Sequence, residues 1–290
     1  MANEITNNKP KFSVVIQSDM YKKLINNTLG SPDKAQKFIA SITSAVATNP
    51  ALQECEASTI ISGALLGQAL ELSPSPQLGQ MYLVPFNNTK KGIKEAQFIL
   101  GAKGYKQLAI RSGQYKDIDF IEVREGEYLG RDENTGKQLF KFIQDDEIRE
   151  EKPVIGYLAY FELLNGFRKQ IYWSKTKMEK HADKYSKAFN LEDYKKLQAG
   201  QIPQKDLWKY SSYWYADFDG MAEKTLYRQL ISKYGVMSIE MQDAYTKDMA
   251  VLHENGDYEY VDNPQEDTKI TIDQVEEEKP KEKVSLDEIE

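Results

Sequence analysis

Lys103, Lys106, Gln107 and Arg111 are the side chains whose types and spacing first suggest chemistry. Positions 103, 107 and 111 recur every four residues, so on a helix they form one polar stripe, with Lys106 beside it. Gly101 and Gly104 sit at the start of that helix. There, free N–H groups and the helix dipole favour an anion, and a glycine lets another backbone come close. The chemistry on offer is the holding of phosphate. On spacing alone, a surface helix with solvated lysines fits as well. Neither G-x-x-x-x-G-K-[ST] nor G-x-G-x-x-G occurs, so the stretch is not a known nucleotide-binding loop.

Two further basic groups follow. A helix predicted over Trp214–Tyr234 puts Gly220, Lys224, Arg228 and Ile231 in one sector, opposite Ala222, Leu226 and Leu230. Lys224 and Arg228, one turn apart, could then grip successive phosphates; ordinary surface pairing with Asp217 and Glu223 is the plainer alternative. The third group is Arg168 and Lys169 on a hairpin, followed by Lys175, Lys177 and Lys180 on a helix. The chain also has 18 tyrosines, some of which could stack on bases, although most should pack in the core.

Catalytic groups are scarce. The two histidines, His181 and His253, are far apart, and there is no H-E-x-x-H, cysteine cluster or G-x-S-x-G. Asp217 and Asp219 form a D-x-D that a magnesium-dependent nuclease could use, but i and i+2 on a helix point to different faces. Acids complementing a helix N-terminus explain them more simply. Cys55, the single cysteine, reads as buried filler in a reducing compartment.

The net charge of −7 is unevenly spread. Residues 262–290 hold eleven acids against four lysines, which leaves 34 basic and 34 acidic residues in 1–261. Within that neutral body, 87–116 carries seven Lys/Arg against one acid, and 165–187 seven against two. Residues 117–151 carry twelve acids against five bases. Such segregation points to one basic face and a polyanionic partner. There is no run of about 18 apolar residues and no leader-like N-terminus, so a cytoplasmic protein without membrane contact is expected.

The elements that must position these groups read as follows. Residues 1–30 form a polar arm, 31–254 a core and 255–290 an acidic disordered tail. Ser31-Pro32 opens a helix to about Thr48; an apolar helix covers Ala57–Leu72, stopped by Pro74 and Pro76. Strands are expected at Gln80–Phe86, Glu95–Leu100, Asp117–Val123, Glu127–Gly130, Lys137–Ile143 and Val154–Leu163. Asn165-Gly166 turns the last of these into Phe167–Trp173. Helices follow at Lys175–Lys184, Trp214–Tyr234 and near Ser238–Val251, with Ala188–Tyr213 mixed and loop-rich. The fold class is α+β, a small mainly antiparallel sheet flanked by helices, with a long C-terminal helix. Nucleic-acid binding without catalysis is the function that the residues favour.

Several blocks carry a resemblance. Gln68-Ala69-Leu70-Glu71-Leu72 with Pro74, then Gly79–Phe86 (GQMYLVPF) and Gly104–Gly113 (GYKQLAIRSG), resemble the RecT family of phage single-strand annealing proteins. So do Gly156-Tyr157, Ala159-Tyr160-Phe161, Asn165-Gly166 and His181 to Ser186. The last block runs from Trp214 to Phe218 and through Met221-Ala222, Lys224-Thr225 and Arg228 to Ser232-Lys233-Tyr234-Gly235. The matches keep the family's order over roughly residues 30–240.

This resemblance implies a non-enzymatic recombination protein that needs no cofactor. ATP is not required, and magnesium is possible but not indicated. Such proteins bind single-stranded DNA and the duplex annealing intermediate, and they self-assemble as rings or helical filaments. They work beside a phage exonuclease and the host single-strand binding protein. On the family blocks, Lys103, Lys106, Gln107, Arg111, Lys224 and Arg228 would hold phosphate, with Ser112 and Thr225 as hydroxyl donors. Arg168, Lys169, Ser174 and Lys177 stand second, because their block matches less closely. An accessory single-strand binding protein without annealing activity and a magnesium-dependent nuclease are the rival readings. The acidic tail fits a solubilising role, a competitor for the basic groove or a recruiter of partners.

Overall fold

The computed structural model describes residues 10–89, 91–186 and 188–260. The tail beyond 260, expected to be disordered, lies outside the described residues, as do residues 1–9. Residues 10–30 differ from the expected arm. They form α1 (Phe12–Val15) and α2 (Asp19–Leu29), and Phe12, Ile16, Tyr21 and Ile25 are buried in the core. Two apolar pairs at i, i+4 suffice to dock them, although polar neighbours dilute the composition.

Helix α3 (Pro32–Thr48) starts at Pro32 as read, but Ser31 makes no side-chain cap bond. Helix α4 (Ala57–Ala69) is buried on most sides, as its composition requires. Its Gly63 and Gly67 lie directly against Leu83 and Met81 of the first strand, β1 (Met81–Asn88). That strand pairs along its full length with β2 (Ile93–Leu100). Helix α5 (Ala102–Arg111) follows at once, and β3 (Tyr115–Arg124) returns beneath it.

A small hairpin, β4 (Tyr128–Arg131) and β5 (Gln138–Phe140), and the short α6 (Asp146–Glu150) lead to β6 (Val154–Leu163). The Asn165-Gly166 turn connects β6 to β7 (Arg168–Ser174), with Gly166 at φ +84° as a tight reversal requires. Ser174 then caps α7 (Lys175–Tyr185), its hydroxyl accepting from Lys177 N–H. The mixed stretch contains α8 (Leu191–Gln198) and a 3₁₀ segment over Gln204–Tyr210.

The expected helix Trp214–Tyr234 is broken in two, α9 (Tyr213–Ala216) and α10 (Phe218–Tyr234). Asp217 leaves the helical region (φ −147°, ψ 69°) and its carboxylate accepts from Gly220 N–H at 3.0 Å, so it caps α10. Helix α11 (Ile239–Lys247) ends earlier than read. Beyond it come β8 (Ala250–Leu252) and β9 (Tyr258–Tyr260), so the expected tail begins with a strand.

Every pairing within the sheets is antiparallel. The strands form a four-stranded sheet of order β1-β2-β8-β9, a three-stranded sheet of order β3-β6-β7 and the β4-β5 ribbon. Helix α4 covers the first sheet, while α10 packs against both α5 and β6. The result is the α+β class read from the sequence, with α10 enclosed where an open face was expected.

Candidate nucleic-acid interface

The glycines at the start of α5 do admit a second backbone, and it is the chain's own. A Cβ on Gly101 would lie 2.1 Å from the Gly79 carbonyl oxygen, and one on Gly104 would lie 2.1 Å from that of Gln80. Gly101 N–H donates to Gln80 O at 2.9 Å. The space read as an anion cradle is therefore filled by the entry to β1.

Several side chains singled out in the sequence hold the framework together. Arg111 donates to the carbonyls of Leu70 (2.5 Å) and Glu71 (3.2 Å), with the Glu71 carboxylate 3.5 Å away. It thereby closes the C-terminal end of α4, where Glu71 takes a left-handed φ of +52°. Lys106 pairs with Asp119 at 2.7 Å, and the Ser112 hydroxyl donates to Ala109 O. Thr225 is buried, its hydroxyl donating to Met221 O. Arg168 is drawn to Glu162 at 2.6 Å.

Lys224 and Arg228 need the plainest correction. Lys224 is 6% exposed and its Nζ lies 3.0 Å from Asp248 Oδ1, itself 1% exposed. Arg228 Nη1 donates to Asp248 Oδ2 (2.9 Å) and to Tyr105 Oη (3.0 Å), and its guanidinium stacks 4.1 Å over Tyr245. Tyr105 O–H and Leu100 N–H both donate to the same carboxylate at 2.9 Å. These two cations therefore present no free charge to a phosphate. A helical wheel assumes one buried side, whereas α10 is packed on two. Their partner is Asp248, beyond the helix, not the expected Asp217 or Glu223.

Burial alone would raise the Asp248 carboxyl, but Lys224, Arg228 and Leu100 N–H outweigh it and hold the group below the usual carboxylate range. Lys224 bears the desolvation, which holds its ammonium below the usual lysine range. Arg228 is also disfavoured by burial, but the neighbouring Tyr105 and Asp248 keep it charged.

Open cations gather on the element that sequence reasoning had ranked second. Lys169 Nζ sits 4.3 Å over the Tyr234 ring and Lys177 Nζ 4.2 Å over Trp173. Burial and then the nearby charges of Lys233 and Arg131 press the Lys177 ammonium below its ordinary value. A cleft of about 470 Å³ runs beside Lys177, lined by it and by Tyr128, Arg131, Gln138, Ile155, Tyr172 and Ser174. Tyr128 and Tyr172 stack there at 4.7 Å. No carboxylate lies within 4.0 Å of Arg131, Lys169, Lys177 or Lys233 among the described residues. On α5, Lys103 is exposed, and neither its side chain nor that of Gln107 makes a hydrogen bond among the described residues.

Lys233 and Arg131 were missed in the sequence. Lys233 lay within a quoted family block. Arg131 was hidden by its acidic stretch, although β4 carries it away from those acids to β7.

The D-x-D residues are engaged. Asp217 caps α10, and Asp219 accepts from Tyr157 O–H at 2.5 Å. With Glu122, Arg149 and Glu223 they line a depression of about 640 Å³. Burial moves the Glu223 carboxyl upward, with Asp119 and Asp217 adding to it and Lys106 and Lys103 opposing it. No group of three or more His, Cys, Asp or Glu among the described residues is placed to hold a metal ion. Cys55 is buried, and His181 packs between Trp173 and Tyr185. No helix among the described residues is long and apolar enough to cross a membrane.

Comparison with known proteins agrees with the blocks quoted from the sequence. The RecT family profile matches residues 36–269. The chain is 37% identical over 230 residues to a Bacillus subtilis (strain 168) protein named uncharacterized protein YqaK, covering 79% of this chain and 69% of the relative. It is 29% identical over 245 residues to protein RecT of Escherichia coli (strain K12), covering 80% of this chain and 81% of that protein. This chain belongs to the RecT family, the single-strand annealing proteins of DNA recombination.

Proposed function

We propose that this protein anneals single-stranded DNA without ATP, holding each strand by its phosphates along the face made by Lys169, Lys177, Lys233 and Arg131. Annealing requires that Watson–Crick edges stay free, which cationic contacts to the backbone allow without reading sequence. The observation that carries the reading is the group of cations without carboxylate partners around Lys177, set among Trp173, Tyr172 and Tyr234. The exposed Tyr234 ring and the half-buried Trp173 and Tyr172 beside such cations can add sequence-tolerant stacking. The exposed Lys103 and the half-buried Gln107 of α5 offer donors to the same kind of contact. Arg111, Lys224, Arg228, Ser112, Thr225 and Ser174 act through the fold that positions them.

The family resemblance supplies the finer setting: a cytoplasmic phage recombination protein that assembles as a ring or filament, beside an exonuclease and the host single-strand binding protein. The test is to mix complementary fluorescent strands with protein and no nucleotide. Faster pairing is the expected result. Unchanged or slower pairing, with tight binding of each strand, would instead make the protein a protective single-strand binder.

A further inference from the structure

We infer that the acidic C-terminal segment, residues 262–290, docks on the Lys169–Lys177–Lys233–Arg131 face of its own chain and competes there with nucleic acid. Thirteen basic side chains among the described residues have acidic partners. Lys91, Lys94, Lys106, Lys116, Arg124, Arg149, Lys196, Lys209 and Lys247 all do. Arg131, Lys169, Lys177 and Lys233 do not, and Arg131 and Lys177 line one cleft, where burial and then the charges of Lys233 and Arg131 hold the Lys177 ammonium below its ordinary value.

The complementary charge is in the same chain. Residues 1–261 balance to zero, so the whole excess of −7 comes from 262–290, with three consecutive acids at Glu276–Glu278. The reach is sufficient. A core of this size has a radius of gyration of about 18 Å. The sixteen residues from Tyr260 to Glu276 span up to about 50 Å when extended. Tethering raises the effective concentration of the segment to the millimolar range, so weak ion pairs suffice. Docking of this kind is screened by salt.

The competition half of this inference rests on the proposed DNA-binding face; the docking half does not. The test is zero-length carbodiimide cross-linking of the full chain at low salt, mapped by mass spectrometry on a mixture of light and heavy isotopic chains. The expected result is within-chain links from Glu276–Glu278 to Lys169, Lys177 or Lys233. These links should be lost in 0.5 M salt (about one Debye length of 4 Å) and depleted by added oligo-dT. Links absent, spread evenly over remote lysines such as Lys22 and Lys195, or found only between chains overturn the docking.

The variant E276Q/E277Q/E278Q should bind oligo-dT about threefold more tightly at low salt and equally at high salt. Links that persist under saturating oligo-dT, with unchanged affinity in this variant, overturn the competition and place DNA elsewhere. Missing links with a DNA-binding loss in Lys177→Ala overturn the inference and leave the DNA face standing.

Discussion

Lys224 Nζ and Asp248 Oδ1 meet at 3.0 Å in the interior, joining α10 to the segment just before β8. Arg228 shares the carboxylate, so one anion serves two cations. Removing that anion strands both. Asp248→Ala should cost on the order of 3–5 kcal/mol. Lys224→Met leaves Arg228 and Leu100 N–H on the carboxylate and should cost less. Urea denaturation of both variants checks the order, and a reversed order refutes the account.

Arg111 and Lys177 separate framework from binding. Arg111→Ala should lower stability by about 1–3 kcal/mol, because two carbonyls at the end of α4 lose their donor, and should leave the salt dependence of DNA binding unchanged. Lys177→Ala should leave the melting temperature nearly constant and reduce the salt slope by about one unit. Thermal melts and binding titrations across salt concentrations read both effects. Interchanged results would assign the residues the opposite roles.

Acid stability follows from two of the buried carboxylates, Asp248 and Glu127. Glu127 resembles Asp248: burial would raise its carboxyl, but Arg149 and the N–H groups of Arg124 and Ile143 hold it below the usual range. Folded values below unfolded ones mean that the unfolded chain binds more protons, so stability rises with pH through that window. The contribution should be complete above about pH 4–5 and lost as pH falls through the lowered folded values. Asp248→Asn should flatten the acid limb of a stability–pH curve; an unchanged limb counts against the assignment.

The close approach of α5 to β1 predicts an intolerant position. A methyl at Gly104 would sit 2.1 Å from Gln80 O and 2.8 Å from Leu100 Cδ1. Gly104→Ala should therefore cost about 1–3 kcal/mol despite its better helix propensity. Chemical denaturation measures it, and a stabilised variant would show that the strand entry can move aside.

Much of the fold was legible locally. Pro32, Asn165-Gly166 and the apolar run of β6 placed their elements because each depends on neighbours in sequence. The break at Asp217 was carried by a capping aspartate followed by Gly220, a signal obscured by the apolar residues on both sides. Strand β8 has three residues, too few for a period to register, and it owes its place to β2, about 150 residues earlier. Shorter separations, still beyond any local pattern, concealed the site. Nothing near Lys224 in sequence announces Asp248, and nothing near Arg131 announces Lys177. Charge could be counted along the chain, but which charges would be neutralised depended on long-range packing.

The pairing of β2 with β8 sets a condition on synthesis. Gln97 and Phe98 meet Val251 and Ala250, so the first sheet keeps an unfilled edge until nearly the whole core has left the ribosome. The Asp248 carboxylate emerges over the same late interval, which leaves Lys224 and Arg228 without their anion until then. A nascent chain stalled before residue 248 thus carries an open strand edge and two uncompensated cations, the conditions that invite aggregation and proteolysis. The fold closes only once residues 248–252 have emerged.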